Sequence, residues 1–173
     1  NGAWTTIGDP TEAALLVAAH QAGLDPDTFR AEWPEVGEVS FSSERMLMAT
    51  FHAGPDSLSA CVKGAPARVL DLCGQVQTSQ GPAPLLPEQR ERLLQANRAL
   101  ASRGLRLLAL AEGPVERADS SALRALTFVG FAGMEDPPAP GVGATIARFQ
   151  AAGIRTVMIT GDQHATALAV AES

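Results

Sequence analysis

The sequence predicts an α/β fold in which strands and helices alternate along the whole chain. Three observations carry that expectation. Apolar and polar residues alternate with period two through residues 36–62, broken only by turn-forming residues, as in half-buried strands. Apolar residues recur at helical spacing after Asp9-Pro10 and again through residues 87–103. Near the C-terminal end, an unbroken apolar run at residues 154–159 leads into Thr160-Gly161-Asp162 and a further helix, the pattern of one α/β unit of a parallel sheet.

Taken in order, Asp9 is a good helix N-cap, Pro10 suits the first helical position, and Glu12 sits at capping-box spacing. Leu15, Leu16 and Ala19 give this helix an apolar face, and Gly23 ends it. Asp25-Pro26 starts a shorter helix running to about Trp33. Residues 36–41, 46–52 and 58–62 read as strands, with Ala53-Gly54-Pro55-Asp56 as a turn between the last two. Lys63-Gly64 reads as a turn before a short helix at 66–72, and residues 75–86 as a polar loop containing Gly and Pro. A long helix at 87–103 would bury Leu93, Leu94, Ala96, Leu100 and Ala101, and Gly104 closes it. Strands follow at 105–111 and 126–134. Asp136-Pro137-Pro138-Ala139-Pro140 is a linker, since three prolines in four positions exclude both a helix interior and a central strand. A helix at 141–152 precedes the apolar run.

Composition narrows the function classes. The net charge of −6 argues against a phosphate-tracking nucleic-acid surface. No apolar run approaches the length needed to span a bilayer. Cys61 and Cys73 match neither zinc nor CxxC spacing and are expected to be reduced and buried, consistent with the cytosol. His20, His52 and His164 are scattered, so no metal site is expected. The start at Asn1 has neither Met nor a basic and apolar leader, which reads as a piece of something longer. Of thirteen basic residues only Lys63 is lysine, so its compact ammonium stands where arginine is the default.

The residues able to carry chemistry each have a plain structural alternative. Thr160-Gly161-Asp162 would lie at the carboxyl end of a parallel strand and at a helix N-terminus, a place suited to a phosphoryl group. By spacing alone, an ordinary helix cap explains it as well. Lys63-Gly64-Ala65-Pro66 could present an ammonium and a close-approaching backbone to a ligand, or be a strand-to-helix turn with a solvated lysine; it is not a Walker A loop. Phe41 could stack on a base or sit in the core. Arg106 opens an otherwise apolar strand, and Glu12 already has a capping role.

Their order is more specific than any one of them. Gly8-Asp9-Pro10-Thr11-Glu12, Phe41-Ser42-Ser43-Glu44-Arg45, Lys63-Gly64-Ala65-Pro66 and the stretch from Leu105-Arg106-Leu107 to Ala111 resemble, in sequence order, the nucleotide-binding domain of P-type ATPases. Met134-Glu135-Asp136-Pro137-Pro138 and Met158-Ile159-Thr160-Gly161-Asp162 look like the passage from that domain into the phosphorylation domain. The likeness covers essentially the whole chain and is greatest to bacterial calcium-type pumps, the P2 group.

The resemblance implies an α+β nucleotide-binding domain at 1–133, built as an antiparallel sheet flanked by helices. It also implies a hinge at 134–140 and a partial Rossmann-like, haloacid-dehalogenase-type phosphorylation-domain segment at 141–173. By the same likeness Phe41 stacks on adenine, Lys63, Gly64 and Glu12 line the adenine pocket, and Arg106 reaches the phosphates. Thr160, Gly161 and Asp162 would form the phosphoryl-holding loop, and Asp136 the hinge aspartate. The implied ligand is ATP, as Mg-ATP in the full-length pump. The implied partners are the remaining phosphorylation, actuator and transmembrane domains of the same pump, with neither nucleic acid nor direct membrane contact. This piece would be a cytoplasmic part of a plasma- or inner-membrane protein that couples ATP hydrolysis to cation transport.

Some positions depart from the pattern. Met46 stands where many relatives have Lys or Arg, Ala67 replaces a frequent Glu, and Ala139 a frequent Arg. The chain has no DKTGT or GDGxND segment, so by the resemblance it holds no catalytic residue and binds ATP without forming an aspartyl phosphate. A free-standing phosphatase of the haloacid-dehalogenase type would need a DxDx[TV]-like strand end upstream, which the sequence lacks. A non-catalytic nucleotide-sensing module is the remaining alternative.

Overall fold

The computed structural model describes residues 9–55, 57–135, 139–159, 167–168 and 171. Helix α1 (Pro10–Gln21) begins where Asp9 accepts a hydrogen bond from the Thr11 N–H at 2.7 Å, and α2 (Pro26–Glu32) begins in the same way at Asp25. Strands β1 (Glu35–Ser42), β2 (Leu47–Ala53) and β3 (Leu58–Gly64) form an antiparallel meander. Helix α3 (Pro66–Asp71) leads into β4 (Cys73–Thr78) and β5 (Gly81–Pro84), and α4 (Pro87–Ala101) follows. Strand β6 (Arg106–Pro114), a 3-10 turn (Ser120–Ala122), β7 (Leu126–Met134) and α5 (Val142–Ala151) complete the described elements.

The strands make one seven-stranded sheet in the order β1-β2-β3-β6-β7-β4-β5. Every neighbouring pair is antiparallel except β4 with β7. The expected helix-flanked sheet is therefore present, with one parallel step that the local pattern did not announce. One face carries Leu47, Ala49, Phe51, Val62, Ala109 and Phe128, which with Val69 and Leu70 of α3 form the buried core. Helices α3 and α4 cover this inner face. On the outer face α1 buries no residue fully, so that side of the sheet is only loosely roofed.

Several expectations need correction. Residues 75–86 are not a loop: β4 and β5 pair as a hairpin. Pro82 and Pro84 are tolerated because β5 is the sheet edge, where a missing N–H costs no ladder bond. Lys63 and Gly64 are not a turn but the last residues of β3, paired with β2 and β6. In α4, Asn97 is buried and Ala96 exposed, because the buried stripe runs through 93, 94, 97 and 101. In α1, Leu16 is exposed while Leu15 and Ala19 are half-buried.

The apolar run at 154–159 forms no strand. A parallel strand needs neighbours to pair with and cover on both faces. Here Ile154, Val157 and Met158 are exposed and Ile159 is 93% exposed. The expected partial α/β segment is thus represented, among the described residues, chiefly by α5. Asp136 and the Thr160-Gly161-Asp162 loop lie outside the described residues.

Arg90 ties α4 to the end of α3. Its guanidinium donates to the Leu70 carbonyl at 2.6 Å and the Cys73 carbonyl at 3.0 Å, and it pairs with Asp71 at 3.3 Å. The Leu70 carbonyl lies in the last turn of α3, where a cation is favourable, and the Cys73 carbonyl opens β4, so one side chain fixes the helix end and the strand start together. Arg90→Ala is expected to cost about 1.5–3 kcal/mol in urea unfolding, as for a charged hydrogen bond to part-buried acceptors. Arg90→Lys should recover only part, since an ammonium cannot span both carbonyls.

Ala125 is held at a φ of 53°, in the left-handed region, just before β7. There an alanine carries a steric penalty that glycine lacks. Ala125→Gly should therefore stabilise the fold by about 1 kcal/mol, raising the urea midpoint without changing the slope.

Candidate functional site

The loosely roofed outer face holds a cavity of about 400 Å3, of the size that takes a small organic ligand. Its lining comes from α1 (Thr11, Glu12), the end of β1 (Phe41), the β1–β2 turn (Met46), β2 (Met48), the β3–α3 junction (Lys63 to Pro66) and the start of β6 (Arg106 to Leu108). Four chain segments far apart in sequence therefore meet at one end of the sheet. All five residues expected at a base pocket, Glu12, Phe41, Lys63, Gly64 and Arg106, line it.

Phe41 is 63% exposed, so its ring is a free aromatic face and not part of the core. Lys63 extends over the outer face and meets Glu12, Nζ to Oε1 at 3.0 Å, joining α1 to β3 across the cavity. The lysine is the more buried of the two, with 27% of its side chain exposed against 51% for the glutamate. Asp9 caps α1 at the rim, and its carboxyl is held below the usual range by the Thr11 N–H and hydroxyl, with Arg106 adding a smaller effect. A lowered pKa means the cap is intact at neutral pH and is lost only as acid protonates the carboxylate.

Gly64 plays a different part from the one its sequence context implied. A Cβ built there would lie 2.5 Å from the Met46 carbonyl oxygen and 2.5 Å from the Leu47 Cβ. Its bare backbone thus admits β2, and the Ala65 N–H donates to that same Met46 carbonyl at 2.8 Å. Met46 itself has a φ of 55°, and its N–H closes the β1–β2 turn on the Ser42 carbonyl at 2.7 Å. Arg45 turns away, its guanidinium donating to the Ser40 carbonyl at 3.0 Å.

Met48, Leu107 and Leu108 were not anticipated as lining residues. A sequence signal existed for one of them: Leu108 follows Arg106 by two, so alternation puts both on the same face, whereas Met48 reaches the cavity through its pairing with Lys63, which the structure shows. Together the lining offers an aromatic face, thioether and leucine walls, and cations at two points. Such a site suits a flat heteroaromatic group carrying an anionic tail. Among the described residues no three His, Cys, Asp or Glu side chains cluster as a metal site would require.

Comparison with known proteins identifies the family. The family described as P-type ATPase, cytoplasmic domain N, matches residues 1–141. A probable cation-transporting ATPase F of Mycobacterium tuberculosis is 39% identical over 173 residues, covering 97% of this chain and 19% of that protein. Calcium-transporting ATPase 1 of Lactococcus lactis is 36% identical, with 96% of this chain and 19% of the relative covered. The calcium-transporting ATPase of Bacillus subtilis is 34% identical, with 99% and 20% covered. The chain spans about a fifth of the length of the curated relatives it matches.

Proposed function

This chain belongs to the P-type ATPases, matching their cytoplasmic domain N, and on that premise we propose that its outer-face cavity binds the adenine nucleotide of a cation-transporting pump. The observation that carries the reading is the meeting of Phe41, Lys63, Glu12 and Arg106 on one cavity from separate parts of the chain. The adenine stacks on Phe41, with its edge toward Lys63 and Glu12. Arg106, at the start of β6, lies on the side where the phosphates emerge. The apolar walls at Met48 and Leu108 take the base out of water, and this burial supplies most of the affinity.

Other parts of the reading rest on sequence likeness. Asp136 serves as the hinge aspartate within a junction at 134–140, between a nucleotide-binding unit at 1–133 and a partial phosphorylation unit at 141–173. Thr160, Gly161 and Asp162 form a loop that holds the transferred phosphoryl group. Closure about the junction would carry the nucleotide to the remaining phosphorylation, actuator and transmembrane domains of the pump. Mg-ATP is the substrate of that larger assembly. This chain carries no DKTGT segment, so by itself it binds ATP and does not hydrolyse it. Mg2+-dependent phosphate release from the pure protein would refute that statement.

The test of the site is a titration of the isolated chain with AMP, ADP and ATP, followed through the amide signals of Phe41 and Lys63. A pocket that holds mainly the base gives affinities within a few-fold across the three. No response at either residue would remove the assignment. Met46 makes a sharper expectation, because it puts a thioether at the rim where a cation could stand. Met46→Arg should strengthen ATP binding by about 0.5–1 kcal/mol, roughly two- to fivefold, and AMP binding less, as for an exposed charge pair.

A further inference from the structure

A second cavity of about 310 Å3 adjoins the first on the same face of the sheet, and the two share Lys63 and Met48 as common walls. Register explains the arrangement. Met48, Lys63, Leu110 and Gly130 form one row across β2, β3, β6 and β7, while Thr50, Cys61, Glu112 and Thr127 form the next row on the same face. The second cavity lies between these rows, and the first lies on the other side of Lys63, toward Arg106.

A break in the strand register shapes this space. The β6–β7 register shifts between Leu110 and Ala111, leaving Val129 as an extra, exposed residue of a bulge at the cavity wall. Leu110 of β6, half-buried, stands in the row shared with Met48 and Lys63 and lines this cavity but not the first. The resulting walls are Met48, Val62, Leu110, Ala111 and Val129, with Thr50, Cys61 and Glu112 at the far end.

The first cavity holds Arg106 with Asp9 at one end and the Lys63–Glu12 pair at the other, while the far end of the second carries the carboxylate of Glu112 and no cation. An adenine nucleotide stacked on Phe41 therefore sends its phosphates toward Arg106. The base edge remote from the sugar, with its donor amine, points past Lys63 toward the second cavity. We propose that this cavity is an inner chamber of the nucleotide site, which accepts an apolar substituent carried on the adenine 6-amino group. The proposal rests on the nucleotide reading above and adds to it a ligand class, 6-N-substituted adenine nucleotides.

Cys61 is an internal reporter of that chamber. Burial, with Glu112 adding to it, raises its thiol pKa, so it alkylates slowly but measurably at alkaline pH. Cys73 is the control: it is 5% exposed, its pKa is pushed up to about 11 by burial, and its thiol donates to the Val69 carbonyl at 3.1 Å.

The experiment compares AMP with 6-N-benzyl-AMP on the wild-type chain and on Leu110→Trp, whose larger side chain would fill the second cavity, with iodoacetamide labelling of Cys61 read by mass spectrometry. The benzyl compound should bind about tenfold tighter than AMP, from the apolar area it buries. It should also slow labelling of Cys61 severalfold, while AMP leaves that rate nearly unchanged. Leu110→Trp should abolish the tenfold gain and leave AMP affinity as it was, because Leu110 lines the second cavity and not the first. If AMP binds but the benzyl compound binds no tighter and does not protect Cys61, the chamber is refuted and the nucleotide site stands. Failure of both compounds to bind overturns the nucleotide reading and the chamber with it. The labelling result is read on the wild-type protein, so it decides the matter even if the Leu110→Trp variant folds poorly.

Discussion

Gly64→Ala is expected to destabilise the domain by about 3 kcal/mol or more, a large share of the 5–15 kcal/mol that holds a typical domain together. The added methyl would sit 2.5 Å from the Leu47 Cβ, 2.5 Å from the Met46 carbonyl oxygen and 2.6 Å from the Leu47 Cα. All three positions are backbone or the root of a side chain, so no rotamer change relieves the clash. Nor can the strand slide. Gly64 is paired with Leu47 on one side and Ala109 on the other, and the next residue is bonded to Met46. Urea unfolding gives the measurement, and Gly130→Ala is the control, because a methyl there meets open space. Equal midpoints for the two variants would show that β2 and β3 do not approach this closely at the cavity. Any loss of ligand affinity in Gly64→Ala should track the loss of folded protein.

Phe41→Ala carries the largest expected effect on binding with the least on folding. Stacking of a base on an aromatic ring is worth about 1–3 kcal/mol, roughly five- to 150-fold in affinity. The ring is 63% exposed, so removing it should change stability by no more than about 0.5 kcal/mol. Lys63→Ala removes the only lysine and its 3.0 Å partnership with Glu12. That pair is partly exposed, which limits its stability contribution to about 1 kcal/mol. A nucleotide affinity that falls about tenfold, beyond any change in the urea midpoint, would mark Lys63 as a binding residue. Calorimetric titration with ATP of both variants decides the question, and unchanged affinity in both would remove the pocket.

Most single elements were legible in the residues. Asp9-Pro10 and Asp25-Pro26 cap α1 and α2 through their own side chains, a local interaction that needs nothing from the rest of the chain. The meander β1–β3 followed from alternation, and β7 matched residues 126–134 to both ends. The β4–β5 hairpin was hidden because Gly81, Pro82 and Pro84 are poor strand formers, and only an edge position makes them acceptable. Asn97 was not legible because a polar residue interrupts the apolar stripe in sequence, yet helix geometry puts it in the buried row, where its Oδ1 has no hydrogen-bond partner among the described residues. The run at 154–159 erred the other way. Its composition suits a buried strand, but a strand exists only by pairing.

By itself the sequence determined which residue types are available and in what order, and so the family likeness, the helix caps and the five pocket residues. Apart from that likeness, local pattern could not determine that Phe41, Lys63 and Arg106 share one cavity, since 65 positions separate the first from the last (106 − 41) and sheet pairing brings them together. Tertiary structure also decided what Gly64 is for. Its missing side chain makes room for β2, a requirement created by a neighbour 17 positions earlier, Leu47 (64 − 47), and invisible in the local motif. The physical reason is common to both. Local preferences are written in adjacent residues, whereas register is set by ladders between distant strands, and a slip of one residue would turn every one of these side chains to the other face.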